Sequence, residues 1–338
     1  MFGATVKDVI KRQVEARVDI VSDGEMSKIS YATYIKDLIT GFDGDSPRTP
    51  PRDLEDFPGF LERQSSGGGT PTYRRPCCVG PIEVKSMQPL QDDLDNFAAA
   101  LSGAKVEDGF MNAASPGVIA LFQPNNHYKT QEEYLYALAD AMAPEYEAIV
   151  AAGYILQLDS PDLGLGKHMM FKDEPENYEK LASAHVEALN HALRNVDGSK
   201  VRMHICWGNY EGPHHYDASM SEVMPVAFKA KPQAILFENA NPRHNHEWVE
   251  VAAMNIPDDK ILIPGVIDST SNFIEHPELV AQRIERFADI VGKERVIAGS
   301  DCGFSTFAGF GAVDEDIVYA KLESMAQGAE IASKRLWG

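Results

Sequence analysis

The chain alternates between two hydrophobic rhythms. Short apolar runs of four to six residues, without strict polar alternation, fall at 18–22, 109–114, 154–158, 201–206, 234–238, 261–266 and 296–299. Strands of that kind are buried on both faces, as in a parallel sheet. Between them lie segments with helical periodicity, at 132–152, 178–195, 247–255, 277–291 and 314–337. Pro277 suits the first turn of its helix, where the missing N–H costs nothing. Strand and helix in regular alternation predict βα units and an α/β fold. The pattern gives seven strands, and the chain opens on an amphipathic helix where a barrel would supply its first strand.

One stretch breaks this rhythm. Residues 44–81 read DSPRTPPRD and then RQSSGGGTPTYRRP, rich in Pro, Gly and Ser. It reads as a surface excursion, with a lid or an oligomer arm as the functional alternative. The Gly164-Leu165-Gly166-Lys167 run lacks the spacing of a phosphate loop.

Length and composition fit this picture. The 338 residues suffice for one large α/β domain, expected over 1–338, and 44% hydrophobic residues allow a full core. A formal net charge of −20 opposes contact with nucleic acid or anionic membrane. No run of about 18 apolar residues is present, and the N-terminus lacks a signal-peptide core, so a cytoplasmic chain is expected. Four cysteines in a chain this long make no disulfide framework.

The residues that carry chemistry gather at the carboxyl ends of the strand runs, the face on which barrels build active sites. His204-Ile205-Cys206 ends one run, and residues two apart in a strand point the same way. Imidazole and thiolate together suit zinc in tetrahedral geometry. Cys302, in SDCGF, supplies a third ligand and Glu238, ending AILFE, a fourth. The plain alternative is that both cysteines are small buried hydrophobes. His214 and His215 follow in the loop. Trp207 abuts Cys206 and is placed to shape a substrate pocket, or to pack beneath the loop. Arg243 is suited to a planar anionic substrate group, or to a surface salt bridge. Phe304, Phe307 and Phe310 are candidate cavity walls or core.

Five segments in order, VSDGEMSKISY, LQLDSP, HICWGNYEG, LIPGVIDSTS and SDCGFSTF, resemble the catalytic barrel of the cobalamin-independent methionine synthase family. The final third is also similar to epoxyalkane–coenzyme M transferases. The resemblance implies a (β/α)8 TIM-type barrel lacking its first strand, and Zn2+ on His204, Cys206, Glu238 and Cys302. It implies a small thiol and an alkyl donor as substrates, with Glu25 and Asp159 holding the amino group of the thiol acceptor. Glu238 and Asp268 form the implied catalytic pair, and Cys78-Val79-Gly80-Pro81 falls where a folate-contacting loop would lie. Two departures stand out. Thr270 occupies the place of the family's histidine, which leaves His276 and His127 as alternative acids. Asp159-Ser160-Pro161 has lost one carboxylate. A metal-free decarboxylase of the uroporphyrinogen type and a non-catalytic zinc-binding protein are the competing classes, and a homo-oligomer is compatible with all of them.

Overall fold

The computed structural model describes residues 2–46, 50–66, 76–305, 311 and 313–338. Seven strands form one sheet: β1 (Ile20–Ser22), β2 (Asp108–Ala114), β3 (Ile155–Asp159), β4 (Val201–Ile205), β5 (Ala234–Phe237), β6 (Ile261–Ile267) and β7 (Gly299–Ser300). Every neighbouring pair is parallel, and the spatial order follows the chain order. Helices connect successive strands, as parallel pairing requires. The sheet curls, and among the described residues its outer strands β1 and β7 do not pair with each other. This is the TIM-type α/β architecture with seven of eight strands, as the apolar runs predict.

Each expected strand is found close to its expected position. The last run shifts most: Val296 makes only an isolated bridge to Leu262, and pairing resumes at Gly299 and Ser300. Along each strand the side chains alternate. Val21, Met111, Leu156, Leu158, Met203, Ile205, Ile235 and Phe237 are wholly or nearly buried against the helices in one large core. Their neighbours Asn112, Gln157, Asp159, Arg202 and His204 therefore face the concave side. Barrel interiors are ordinarily filled by branched apolar side chains, so a polar row there is a departure that packing does not explain.

The C-terminal layer shows how local chemistry sets the helices. Helix Pro277–Val291 starts on Pro277, and the His276 side chain accepts the Glu278 N–H at its N-terminus. Helix Glu315–Trp337 lies against it, and Gly328 makes the approach close: a Cβ there would run into the Val280 side chain and the Pro277 carbonyl. Among the described residues, no helix is long and apolar enough to cross a membrane.

The described part of the Pro- and Gly-rich excursion is more ordered than its composition suggests. Its base is an antiparallel ribbon of Phe42–Asp43 with Cys77–Cys78, and its described part carries helices Arg52–Glu55 and Pro58–Ser66. Asp53 in the first of these is fully buried. The cause is tertiary: its carboxylate accepts the Tyr210 hydroxyl at 2.7 Å and the His214 N–H at 2.8 Å. The segment is thus docked on the loop that follows β4.

Candidate metal centre

His204 lies near the end of β4 and Cys206 just beyond it, while Cys302 follows Ser300 and Asp301 past β7. The curl of the sheet brings them together. One ligand atom from each of the three lies within 4.8 Å of the others. The two Sγ atoms are 3.3 Å apart.

The electrostatics of the triad fit a cation. Burial holds the His204 imidazole down at about 4, so it is neutral and offers a lone pair. Its Nδ1 is sealed from solvent with no hydrogen-bond partner. Burial, then the neighbouring Cys206, pushes the Cys302 thiol well above its ordinary range. A dication between them would relieve all three conditions, and one imidazole with two thiols is a donor set that suits Zn2+. The residues present fit the ion.

Glu238, the residue after β5, borders the triad. Its Oε1 lies 3.6 Å from Cys302 Sγ and accepts the Trp207 N–H at 2.8 Å. Its Oε2 accepts Asn241 Nδ2 at 2.8 Å and pairs with the Arg243 guanidinium. Burial alone would raise this carboxyl, but attraction to Arg243 and His244 outweighs it and holds Glu238 below its ordinary range. Arg243 is therefore engaged inside the protein, also contacting Asn241 Oδ1 and the Gly208 carbonyl. Of the two roles expected of it, anion receptor or surface salt bridge, it makes an ion pair, and that pair is largely buried.

Asp301 was not singled out in the sequence, although it directly precedes Cys302. Its Oδ1 accepts the N–H groups of Asn239 at 2.8 Å and Ala240 at 2.7 Å, and its Oδ2 accepts Asn241 N and Nδ2, both at 2.8 Å. One carboxylate thus locks the turn after Glu238 to the turn bearing Cys302. Gly265 makes room for it, since a Cβ at that position would run into Asp301 Oδ1. Burial, then the charge of Glu238, raises the Asp301 carboxyl to about 6.

The loop after Cys206 is held from below. Trp207 is fully buried, donates its indole N–H to the Ala218 carbonyl at 2.6 Å and lies 4.6 Å from the His244 ring. Its ring therefore packs beneath the loop and does not wall a thiol pocket; only its backbone N–H reaches Glu238. His214, in a left-handed backbone conformation, is buried and not part of an exposed pair. Asp217 sits within 3.2 Å of His168, His214 and His244 nitrogens, and His244 also meets Glu247 at 2.6 Å. His215 reaches Asp56 of the excursion at 2.9 Å.

On the other side of His204, Asp159 ends β3 in register with it. Burial, then the charge of Glu25, raises the Asp159 carboxyl to about 7. It accepts Asn112 Nδ2 at 3.3 Å. Glu25 sits in a left-handed turn, 3.3 Å from Lys28 Nζ, which also donates to the Asn112 carbonyl at 2.6 Å. Lys28 was not anticipated, and a lysine four residues past a Gly in a polar turn gives no warning of burial. Asp268 accepts the Thr270 N–H at 2.9 Å and hydroxyl at 2.8 Å, and its own N–H donates to Glu275 at 2.8 Å. Of the alternative acids, His276 caps a helix, and His127 lies in a surface loop against Tyr128. Cys78 is buried with its Sγ on the Gly80 carbonyl. Phe304 packs against a small cluster around Val266 and Val280, while Phe307 and Phe310 lie outside the described residues.

A curled parallel sheet with an imidazole and two thiols at the carboxyl mouth defines an α/β-barrel enzyme built around a thiol-rich centre. The profile of the cobalamin-independent synthase catalytic domain matches residues 115–330, and the chain belongs to that family. The methionine synthase of Saccharolobus solfataricus is 28% identical over 336 residues, covering 99% of this chain and 85% of that protein. That of Sulfurisphaera tokodaii is 26% identical over 336 residues, covering 99% and 83%. A solved B12-independent methionine synthase from Shewanella sp. W3-18-1, in complex with selenomethionine, superposes with a TM-score of 0.77 at 19% identity, covering 99% of this chain and 88% of that one.

Proposed function

We propose that the chain transfers a methyl or other small alkyl group to a thiol, with Zn2+ held by His204, Cys206 and Cys302. The observation that carries this reading is the meeting of one neutral imidazole and two crowded thiols within 4.8 Å at the mouth of the sheet. Zn2+ in such a donor set supplies Lewis acidity that favours loss of the acceptor thiol's proton at neutral pH. A structural zinc would be closed by four strong ligands.

The chain's own residues then have assignable tasks. The Gly208 N–H donates to Cys206 Sγ at 3.2 Å and tempers its charge. Glu238, kept anionic by Arg243, stands 3.6 Å from Cys302 Sγ and would serve as a weak fourth ligand, one that an acceptor thiol could replace. Asp301 fixes the spacing between these two. Asp159 and Glu25 form an acidic wall on the far side of His204, suited to an ammonium group, which fits homocysteine as acceptor and a methylated folate as donor. The relatives from Saccharolobus and Sulfurisphaera, methionine synthases, point the same way.

One observation favours a second reading of the donor. The Thr270 hydroxyl is spent on Asp268, so no strong acid stands at that position to protonate a departing amine. An epoxide or similar electrophile, opened by a small thiol, makes less demand there.

Metal analysis and a thiol-alkylation assay test the proposal together. Wild-type protein should carry about one zinc per chain and consume thiol with a methyl donor or an epoxide; Cys302→Ser should lose both. Full zinc and full turnover in that variant would refute the site.

A further inference from the structure

The Gly208 N–H that meets Cys206 Sγ ends a chain of contacts that begins in the Pro- and Gly-rich excursion. Gly208 has a φ of 112°, a conformation that favours glycine. Its N–H lies 3.2 Å from Cys206 Sγ, and its carbonyl accepts Arg243 Nη1 at 3.3 Å. The Tyr210 ring lies directly on this glycine. A Cβ at Gly208 would come 2.5 Å from the ring, and one at Gly212 2.4 Å, so the ring is clasped between two residues that lack side chains. The His214 ring stacks on it as well, with centroids 4.1 Å apart.

The far end of Tyr210 belongs to the excursion. Its hydroxyl donates to Asp53 Oδ2 at 2.7 Å, and the same oxygen accepts the His214 N–H at 2.8 Å. Burial, then the charge of Asp53, pushes the Tyr210 phenol far above its ordinary range, so it stays a donor. Asp53 is fully buried. Two further contacts seat the same stretch on this loop: His215 on Asp56 at 2.9 Å, and the Arg52 guanidinium 4.5 Å from the centre of the Tyr216 ring.

A buried carboxylate is costly, and a segment that only covered the loop would do so with apolar side chains. This one places its charge on two donors of the loop that starts at a metal ligand. Clasped as it is, the Tyr210 ring cannot slide without moving the Gly208 peptide. That peptide's N–H draws charge off the Cys206 sulfur, and outer partners of this kind tune a metal site.

We infer that Tyr210 and Asp53 are positioning residues for the metal centre: the excursion, seated through their hydrogen bond, holds the Gly208 N–H on Cys206 Sγ, so that docking of the excursion and occupation of the centre favour one another. This rests on the metal reading above and adds the residues that tune one of its ligands from a distance.

The test uses the full chain, metal-free and loaded with Co2+, as wild type, Tyr210→Phe, Asp53→Ala and Asp53→Asn. The energy of the sulfur-to-cobalt absorption band reports the charge on the thiolate. Hydrogen exchange over helices Arg52–Glu55 and Pro58–Ser66 reports docking. In wild type, metal should slow that exchange about 10-fold, and by reciprocity docking should strengthen metal binding by the same factor. Tyr210→Phe removes one oxygen and keeps the ring. It should abolish the metal-dependent protection, weaken Co2+ binding about 10-fold and shift the band to lower energy as the sulfur regains charge. Asp53→Ala should do the same. Asp53→Asn should stay close to wild type, because its amide oxygen can accept both donors. Equal exchange with and without metal in wild type would overturn the inference, as would a Tyr210→Phe protein with the wild-type band and protection. A lower melting temperature with an unchanged band in Asp53→Ala would reduce Asp53 to packing and overturn it too. A wild type that takes up no Co2+ would sink the metal reading itself, and this inference with it.

Discussion

The Sγ atoms of Cys206 and Cys302 lie 3.3 Å apart, although 96 residues separate them in the chain. That proximity makes metal binding a competition with protons. The Cys302 thiol is raised by burial and by Cys206, whereas His204 stays neutral down to about 4. Below the thiol range, loading one metal expels two protons, so the apparent affinity should fall about 100-fold per pH unit on acidification. A chelator-competition titration from pH 8 to pH 5.5 measures this slope. A Cys206→Ser variant should halve its logarithm, and a slope unaffected by that change would exclude the sulfur as a ligand.

Arg243 and Glu238 form a largely buried ion pair, with side-chain exposures of 17% and 1%. Removing one partner leaves the other charge stranded, at a cost of about 3 kcal/mol. Arg243→Ala should therefore lower the urea midpoint, and adding Glu238→Gln should restore part of the loss, because the stranded charge is gone. A double-mutant cycle quantifies the coupling. If the two losses simply add, the pair is not coupled.

Gly265 and Asp301 meet with no space between them. Gly265→Ala should push the Asp301 carboxylate off the three backbone N–H groups and the Asn241 amide it holds, with a stability loss of about 1–3 kcal/mol and lower metal content. Asp301→Asn should fold but hold metal more weakly, since an amide cannot accept all four bonds with both ends. Unchanged metal content in both variants would show that the lock between the two turns is dispensable.

The imidazole of His244 sets an alkaline limit. Burial lowers its pKa, but hydrogen bonds to Asp217 and Glu247 win and raise it from 6.5 to about 9. A raised cationic pKa stabilises the fold fully below about 6.5, and the contribution disappears as pH passes about 9, with a maximum of about 3 kcal/mol. Asp217 acts in the opposite window. Burial opposes its ionisation, but its three histidine neighbours hold it far below the carboxylate range, so its contribution is present above about pH 4 and lost in acid. Melting temperatures of wild type and His244→Gln should diverge at pH 6 and converge by pH 10. Parallel curves would assign the pairing no energetic role.

The seven strands were legible because parallel strands buried on both faces leave continuous apolar runs, and His204 and Cys206 because strand spacing puts them on one side. Cys302 was legible because it stands at a strand end. What the sequence concealed was long-range. Asp53 and His214 are 161 residues apart, and nothing in DSPRTPPRD announces a buried carboxylate. Trp207 beside a cysteine looks like a pocket wall until the loop turns its ring inward toward Ala218 and His244. Arg243 looks like a free cation until the turn after β5 folds it back onto Glu238. In each case the local pattern fixed the element, while a partner from a distant element fixed the side chain.

A closed barrel sets its own curvature, because the last strand hydrogen-bonds to the first. Here β1 and β7 make no such bond among the described residues. The cluster instead spans from β4 to β7, skipping the two strands between. An ion gripped by His204, Cys206 and Cys302 would work as a tie-rod across that arc, so the same contact that activates a thiol would also set the radius of the sheet.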